Sequence, residues 1–207
     1  MPTTELTALM LLCAATSLTP GPNTTVSTAL AANFGLRRAL RFVVAVPVGW
    51  GLILCLCAGG LGALVVTLPA LRIGIQATGV AYLLWLAFKL ANSHSVAHAD
   101  TARMEFSFGQ GVALQFLNIK AWMLALTVVA GWLAGRADML ERFAVALPLM
   151  VGFGFFSNLL YALVGSLLRD WLGGPFVNGV GTALRLRWFN GSMAAILVAT
   201  AAWMGTL

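Results

Sequence analysis

Charged residues are scarce in this sequence. Only 9% of its 207 residues are charged and 60% are hydrophobic, which gives a mean hydropathy of +0.93. A soluble domain carries about 25% charged residues, so a water-exposed surface cannot be covered here. The shortage of charge excludes a soluble globular protein and predicts an integral membrane protein with the lipid bilayer as its surroundings.

Acidic residues are the scarcer charge, with 6 against 12 basic residues. All 6 acidic residues fall in predicted loops or at span ends, namely Glu5, Asp100, Glu105, Asp138, Glu141 and Asp170. The bases are spread among the connections rather than clustered, so membrane topology explains them better than nucleic acid does. We expect no nucleic-acid partner. The first residues, "MPTTE", lack the basic start of a signal peptide, and no G-x-x-x-x-G-K-[ST] pattern indicates ATP use.

Long apolar runs replace the missing charge. They show none of the alternation over roughly 10 residues that membrane strands require. Because roughly 20 helical residues cross the hydrocarbon core, we expect an all-α membrane protein. The predicted spans lie near 6–32, 40–67, 71–91, 107–134, 141–168 and 186–206.

The basic residues predict the orientation of the spans. Eight flank the odd-numbered connections, namely Arg37, Arg38, Arg41, Lys89, Arg103, Arg169, Arg185 and Arg187. Three lie on the opposite side, namely Arg72, Arg136 and Arg142. Positive residues favour the cytoplasmic face, which predicts cytoplasmic odd-numbered loops and both termini outside.

A polar loop over residues 92–106 divides one transmembrane domain, 1–207, into half-repeats of about 1–91 and 107–207. Three spans per half force the second half to insert upside down relative to the first. Such 3+3 inverted repeats are common in secondary transporters, whose sites lie where corresponding helices are interrupted. The first and fourth spans are therefore the places to seek a site.

Both of those spans contain an interruption. The first carries "TPGPN", Thr19–Asn23, where proline removes a backbone donor and glycine adds freedom. The fourth carries "QFLNIKA", Gln115–Ala121, at a comparable depth. A structural kink would explain one break, but corresponding breaks favour a site.

Lys120 lies near the centre of the fourth span. Its stem is too short to reach water from there, and a charge at that depth costs at least ~2.5–3.5 kcal/mol without compensation. No span supplies an acid. The lysine is therefore neutral, capped by carbonyls, facing a structural water-filled cleft, or a binding residue for a carboxylate, which is the interpretation we favour.

These motifs resemble the LysE/RhtB family of bacterial amino-acid exporters. "TPGPN" matches its first segment, "FGLRRALR" (Phe34–Arg41) its basic connection, and Gly79–Ala87 its "GxxYLLWLA" element. Ala45 and Gly49 match a small-residue pair, and "NIKA" replaces the usual "NPKA", with Ile119 instead of proline. The "ALQFLNIK" and "FFSNLLYALVG" patterns are most similar to the cysteine/O-acetylserine branch.

The resemblance implies a secondary transporter, not an enzyme, in the bacterial inner membrane. It implies efflux of amino acids from the cytoplasm, coupled to protons by antiport and without a cofactor or metal. A zwitterion needs adjoining anion and cation sites, and the lack of acids favours a neutral amino acid. The candidate substrate-binding residues are Pro20, Gly21, Pro22, Asn23, Tyr82, Gln115, Asn118, Lys120, Asn158 and Tyr161. Lys120 is also the candidate proton-coupling residue.

Other functions stay open at this stage. A thiol-redox relay is the main alternative, but Cys13 has no counterpart in the fourth span, and Cys55 and Cys57 point to different sides of a helix. His94 and His98 have the spacing of metal ligands but lie in the polar loop. A membrane scaffold or homodimer is a third possibility, because Ala45/Gly49 and "GWLAG" (Gly131–Gly135) are small-xxx-small patterns.

Overall fold

The computed structural model describes residues 1–92, 107–173, 176–177, 180–181 and 184–206. The first half contains α1 (Thr3–Leu18), α2 (Pro22–Phe34), α3 (Leu36–Ala58), α4 (Gly62–Thr67) and α5 (Pro69–Ala91). The second half contains α6 (Phe108–Phe116), α7 (Ile119–Val128), a π-helical turn (Val129–Leu133), α8 (Met139–Gly173), β1 (Phe176–Val177), β2 (Val180–Gly181) and α9 (Leu184–Gly205). The two strands form a short antiparallel hairpin.

Three of these helices, α3, α5 and α8, are long and apolar enough to cross a membrane. A fourth crossing is possible if α6 and the helix Ile119–Leu133, which meet at 68°, form one bent span. At 1.5 Å per residue, the 16 residues of α1 reach only about 24 Å, short of the ~30 Å core. The protein is a helical multi-pass membrane protein, and the six-span count stays a prediction.

The second predicted span, 40–67, is divided in the structure. Helix α3 ends at Ala58, and Gly60 adopts φ of 94°, a left-handed conformation that glycine accepts readily. The short helix α4 follows as a separate element. The Gly59–Gly60 pair thus ends the helix about nine residues earlier than hydropathy alone indicates.

Helices from the two halves pack against each other. Helix α2 lies against α8, α6 and α7 lie against α3, α3 pairs with α8, and α5 pairs with α9. Small residues bring the axes close: a Cβ on Gly165 would lie 2.2 Å from the Thr28 carbonyl oxygen, and one on Gly111 would lie 2.7 Å from the Ala45 Cβ. Ala45 and Gly49 are buried and therefore pack α3 within the chain.

Candidate functional site

The first helix break lies between Leu18 and Pro22. Helix α2 begins with Pro22 at its first position, where the missing N–H disrupts no helical bond. The Thr24 hydroxyl closes the turn, since it accepts from the Gly21 N–H at 2.9 Å and donates to the Gly21 carbonyl at 3.0 Å. The break is therefore an ordered turn that points the N-terminus of α2 into the protein.

Two carbonyls at the end of α1 are bonded by hydroxyls from α8. The Ser157 hydroxyl donates to the Ser17 carbonyl, and the Tyr161 hydroxyl donates to the Leu18 carbonyl at 3.1 Å. The last carbonyls of a helix have no partner within it, and lipid cannot supply one. Helix α8 thus stabilises the broken end of α1.

The second break lies between Phe116 and Ile119 and contains no proline. Asn118 is the N-cap of α7, and its side-chain oxygen accepts from the Lys120 N–H at 3.2 Å. The Trp122 ring N–H donates to the Phe116 carbonyl at 2.9 Å. A side-chain cap and one indole therefore maintain a break for which proline is not required.

Gly79 of α5 lies directly against this second break. A Cβ at that position would lie 2.1 Å from the Leu117 carbonyl oxygen, far inside any normal contact. Only a glycine lets α5 pack this closely against the interrupted backbone. The first residue of the "GxxYLLWLA" element is thus required by packing.

Paired amides join the two breaks. The Asn23 amide donates to Gln115 Oε1 at 2.8 Å, and the Gln115 amide donates to Asn23 Oδ1 at 3.2 Å. The Trp50 ring N–H also donates to Gln115 Oε1, at 3.1 Å. Gly49 leaves room for this arrangement, because a Cβ there would lie 2.5 Å from Gln115 Cγ. Residues predicted from separate motifs therefore meet in one buried cluster.

Lys120 lies at the junction of the breaks. It occupies the second position of α7 and is half-buried. A Cβ built on Gly21 would lie 3.6 Å from its Nζ, so the ammonium group faces the first break. Among the described residues, Glu5 pairs with Arg136 and Arg142, and Asp138 pairs with Arg142. Lys120 has no carboxylate partner among these residues.

Two cavities adjoin Lys120. A polar cavity of about 20 Å³ is lined by residues that include Ser17, Asn23, Asn118 and Asn158. A larger apolar groove of about 510 Å³ lies between α1 and α9 and includes Trp203. The residues that line both are Thr16, Thr19, Gly21, Pro22 and Lys120. The first break and Lys120 therefore lie between the polar cavity and the apolar groove.

The structure brings most predicted site residues together. Pro20 lines the groove, Asn158 lines the polar cavity, and buried Gln115 holds Asn23. Tyr161 binds the end of α1. Tyr82 instead packs beside Trp85 on α5, with ring centroids 5.4 Å apart. The described residues that line the two cavities do not include Tyr82.

Sequence reasoning missed several residues that shape the site, among them Ser17, Thr24, Trp50, Gly79 and Ser157. Gly79 belongs to a quoted motif, which was a usable signal. Single hydroxyl residues on apolar helices carry no comparable signal, because their importance depends on which helix lies opposite them.

The cysteines considered for a redox relay line neither the polar cavity nor the groove. Cys13 and Cys57 are buried, Cys55 is exposed, and all three are free. The described residues contain no cluster of three or more metal-ligating side chains. His94 and His98 lie outside the described residues.

Comparison with known proteins identifies the family of this chain. A family model described as LysE type translocator matches residues 14–205. The chain belongs to the LysE family. It is accordingly a membrane transporter and not an enzyme.

Curated relatives named cysteine/O-acetylserine efflux protein occur in Escherichia coli K12, Shigella flexneri and Salmonella typhimurium. Each is 30% identical over 154 residues, which cover 74% of this chain and 78% of the relative. No solved structure matches the chain significantly.

Proposed function

We propose that this LysE-family protein exports small, neutral amino acids from the cytoplasm across the bacterial inner membrane, driven by the proton-motive force. The names of its relatives support a substrate similar to cysteine or O-acetylserine. The single observation that carries the proposal is Lys120, a cation without a carboxylate partner among the described residues, facing the turn of a broken helix.

The substrate carboxylate binds between Lys120 and the N-terminus of α2. Pro22 begins that helix beside the lysine, and the first N–H groups of a helix carry a partial positive charge that favours anions. Lys120 itself lies in the first turn of α7, which adds a second helix N-terminus. Three sources of positive potential thus converge on one small volume.

The substrate ammonium group binds to neutral oxygen atoms. The Gly21 carbonyl already accepts from the Thr25 N–H and the Thr24 hydroxyl, so the carbonyls of Thr19 and Pro20, which belong to neither helix, are the better candidates. No acid lines either cavity among the described residues. A second positive charge would lack a partner, which disfavours lysine and arginine as substrates.

Transport requires the helices at the breaks to move. The polar cavity, at about 20 Å³, holds little more than one water molecule, whereas the groove has ample room for an amino acid. The packing of each half's broken helix on the other half supports an inverted 3+3 repeat. In such transporters one half rocks against the other around a central site. Substrate and proton compete around Lys120, so that a proton is carried inward in exchange for substrate carried outward.

The proposal is tested by overexpressing the chain in a bacterium and measuring secretion of cysteine, O-acetylserine, threonine, leucine and arginine. We expect secretion of the small neutral amino acids and at least a tenfold loss in Lys120→Met, because a charged hydrogen bond contributes about 1.5–3 kcal/mol. Lys89→Met is the matched control, since that lysine lies over the Trp85 ring at the end of α5.

Normal secretion by Lys120→Met would contradict the site, and secretion of arginine alone would contradict the neutral substrate. A redox relay gains no support, because Cys13 has no cysteine counterpart on α6 or α7. The homodimer stays a prediction. Its small-xxx-small pattern at Ala45 and Gly49 is used within the chain, while Gly131 and Gly135 are exposed.

A further inference from the structure

Ser17 is a buried hydroxyl whose hydrogen-bonding capacity is unused. Its residue is only 4% exposed, and its Oγ is the one buried side-chain polar atom without a hydrogen-bond partner in the described parts of the chain. Leaving a buried hydroxyl without a hydrogen-bond partner destabilises the folded protein. Such a group indicates either strain or a ligand that supplies the partner.

Three other hydroxyls on α1 or at its C-terminal end behave differently. Thr7, Thr16 and Thr19 each donate to a carbonyl one turn earlier, at 2.9, 2.7 and 2.5 Å. This back-bonding is the usual way to satisfy a hydroxyl on a helix. Ser17 could do the same with Cys13 but does not, so its hydroxyl remains available to a ligand.

Ser17 is one of the residues that line the polar cavity, as is Lys120. The other side chains around that cavity are largely committed: Thr24 closes the first break, Trp50 donates to Gln115, and Asn158 accepts from Ser27 and donates to the Gly154 carbonyl. Lys120, the amide N–H groups of Asn118 and the Ser17 hydroxyl therefore stand out as the groups of the cavity able to take new partners. Of these three, the Ser17 hydroxyl is the one that can both donate and accept.

We propose that Ser17 determines substrate specificity by hydrogen bonding to a polar atom on the substrate's β-carbon, once movement at the breaks has widened the polar cavity enough to admit the substrate. This inference rests on the proposed function, in which Lys120 takes the carboxylate. A hydroxyl both donates and accepts, so Ser17 can pair with a hydroxyl, a thiol or an ester oxygen. A substrate with a plain methyl group leaves it unpaired and is transported less well.

The test compares L-serine with L-alanine, which differ by one hydroxyl, in uptake by inverted membrane vesicles. For the unmodified protein we expect a lower KM for serine by roughly 3- to 10-fold, the equivalent of one neutral hydrogen bond. Ser17→Ala should abolish that preference while alanine uptake persists. Ser17→Cys keeps a weak donor of similar size and should retain part of the preference.

Ser192→Ala is the matched control, because Ser192 is exposed on α9 and donates to its own helix at the Trp188 carbonyl. It should leave the serine-to-alanine ratio unchanged. An unchanged ratio in Ser17→Ala would overturn the assignment of Ser17 alone. Uptake of neither amino acid by the unmodified protein would instead overturn the proposed function. Loss of both activities in Ser17→Ala, with normal protein levels, would make Ser17 structural and also overturn the inference.

Discussion

The two helix breaks are maintained by different chemical means. The first uses two prolines and a glycine, and its free carbonyls are bonded by Ser157 and Tyr161 from α8. The second uses no proline; Asn118 caps α7 locally, and Gly79 packs against the Leu117 carbonyl. The first break depends on hydroxyls of a distant helix, and the second depends on a cap and a close steric contact.

The two breaks also contribute different properties to the site. The first break supplies backbone dipoles and the lining of the cavities, whereas the second supplies Lys120. The Asn23–Gln115 amide pair couples them, so a change at either break should reach the other.

Gly79→Ala should have the largest effect on stability. Its Cβ would lie 2.1 Å from the Leu117 carbonyl oxygen, and backbone on that side cannot yield cheaply. Overpacking costs about 1–3 kcal/mol, which a thermal unfolding measurement in detergent detects as a lower midpoint. Gly74→Ala on the same helix has open space and should not lower it. Equal midpoints for both variants would contradict the close contact.

Asn118→Ala should have the next largest effect. Loss of an N-cap side chain costs about 1 kcal/mol, and here it releases the Lys120 N–H. Thr24→Ala is the counterpart at the first break, where the hydroxyl both accepts from and donates to Gly21. Both variants should lower the unfolding midpoint. If only Thr24→Ala does so, the second break is not maintained by its cap.

Ile119→Pro should be tolerated at the second break. Ile119 is the first residue of α7, and Asn118 before it is extended, with φ −92° and ψ 95°; both positions suit an N-terminal proline. We expect a cost within ~1 kcal/mol of Ile119→Val, because only side-chain packing is lost. Leu124→Pro, inside the same helix, should cost about 3 kcal/mol or more. Similar losses in Ile119→Pro and Leu124→Pro would mean that the break is not at Asn118.

Acid should weaken the ion pairs that join the start of α1 to the start of α8, and this effect should be the smallest. Hydrogen bonds from Arg142 lower the pKa of Glu5, at the start of α1, and of Asp138. A lowered pKa stabilises the fold above the ordinary carboxyl pKa, and this contribution disappears as pH falls through the lowered values. Unfolding midpoints measured from pH 6 down to pH 3 should therefore fall less in Glu5→Gln than in the unmodified protein. Identical pH dependence in the two proteins would rule out this anchor.

The sequence was sufficient to locate both breaks and the residues that join them. Proline and glycine mark the first break, and a lysine in an apolar run marks the second, since both violate strong local rules of membrane helices. Asn23, Gln115 and Lys120 were predicted from those motifs and lie together in the structure. The early end of α3 was also readable from Gly59–Gly60, a strong turn signal, but hydropathy obscured it.

The remaining features depend on which helix faces which. Ser157 and Tyr161 reach α1 only because α8 packs there. Tyr82 was included through its motif, although the neighbouring Gly79 is the residue that touches a break. Ser17 differs from Thr7 and Thr16 of α1 because its hydroxyl donates to no backbone carbonyl. No local sequence pattern reports this difference.

The most direct test of the account is ligand-induced thermal stabilisation of the purified protein by L-alanine and by L-alaninamide, which lacks the carboxylate. Binding to the folded state raises the unfolding midpoint, so the measurement needs no transport. We predict at least tenfold weaker binding of the amide to the unmodified protein, the same preference in Lys120→Arg, and nearly equal, weak binding of both in Lys120→Met. An undiminished preference for L-alanine in Lys120→Met would contradict the claim that Lys120 receives the carboxylate.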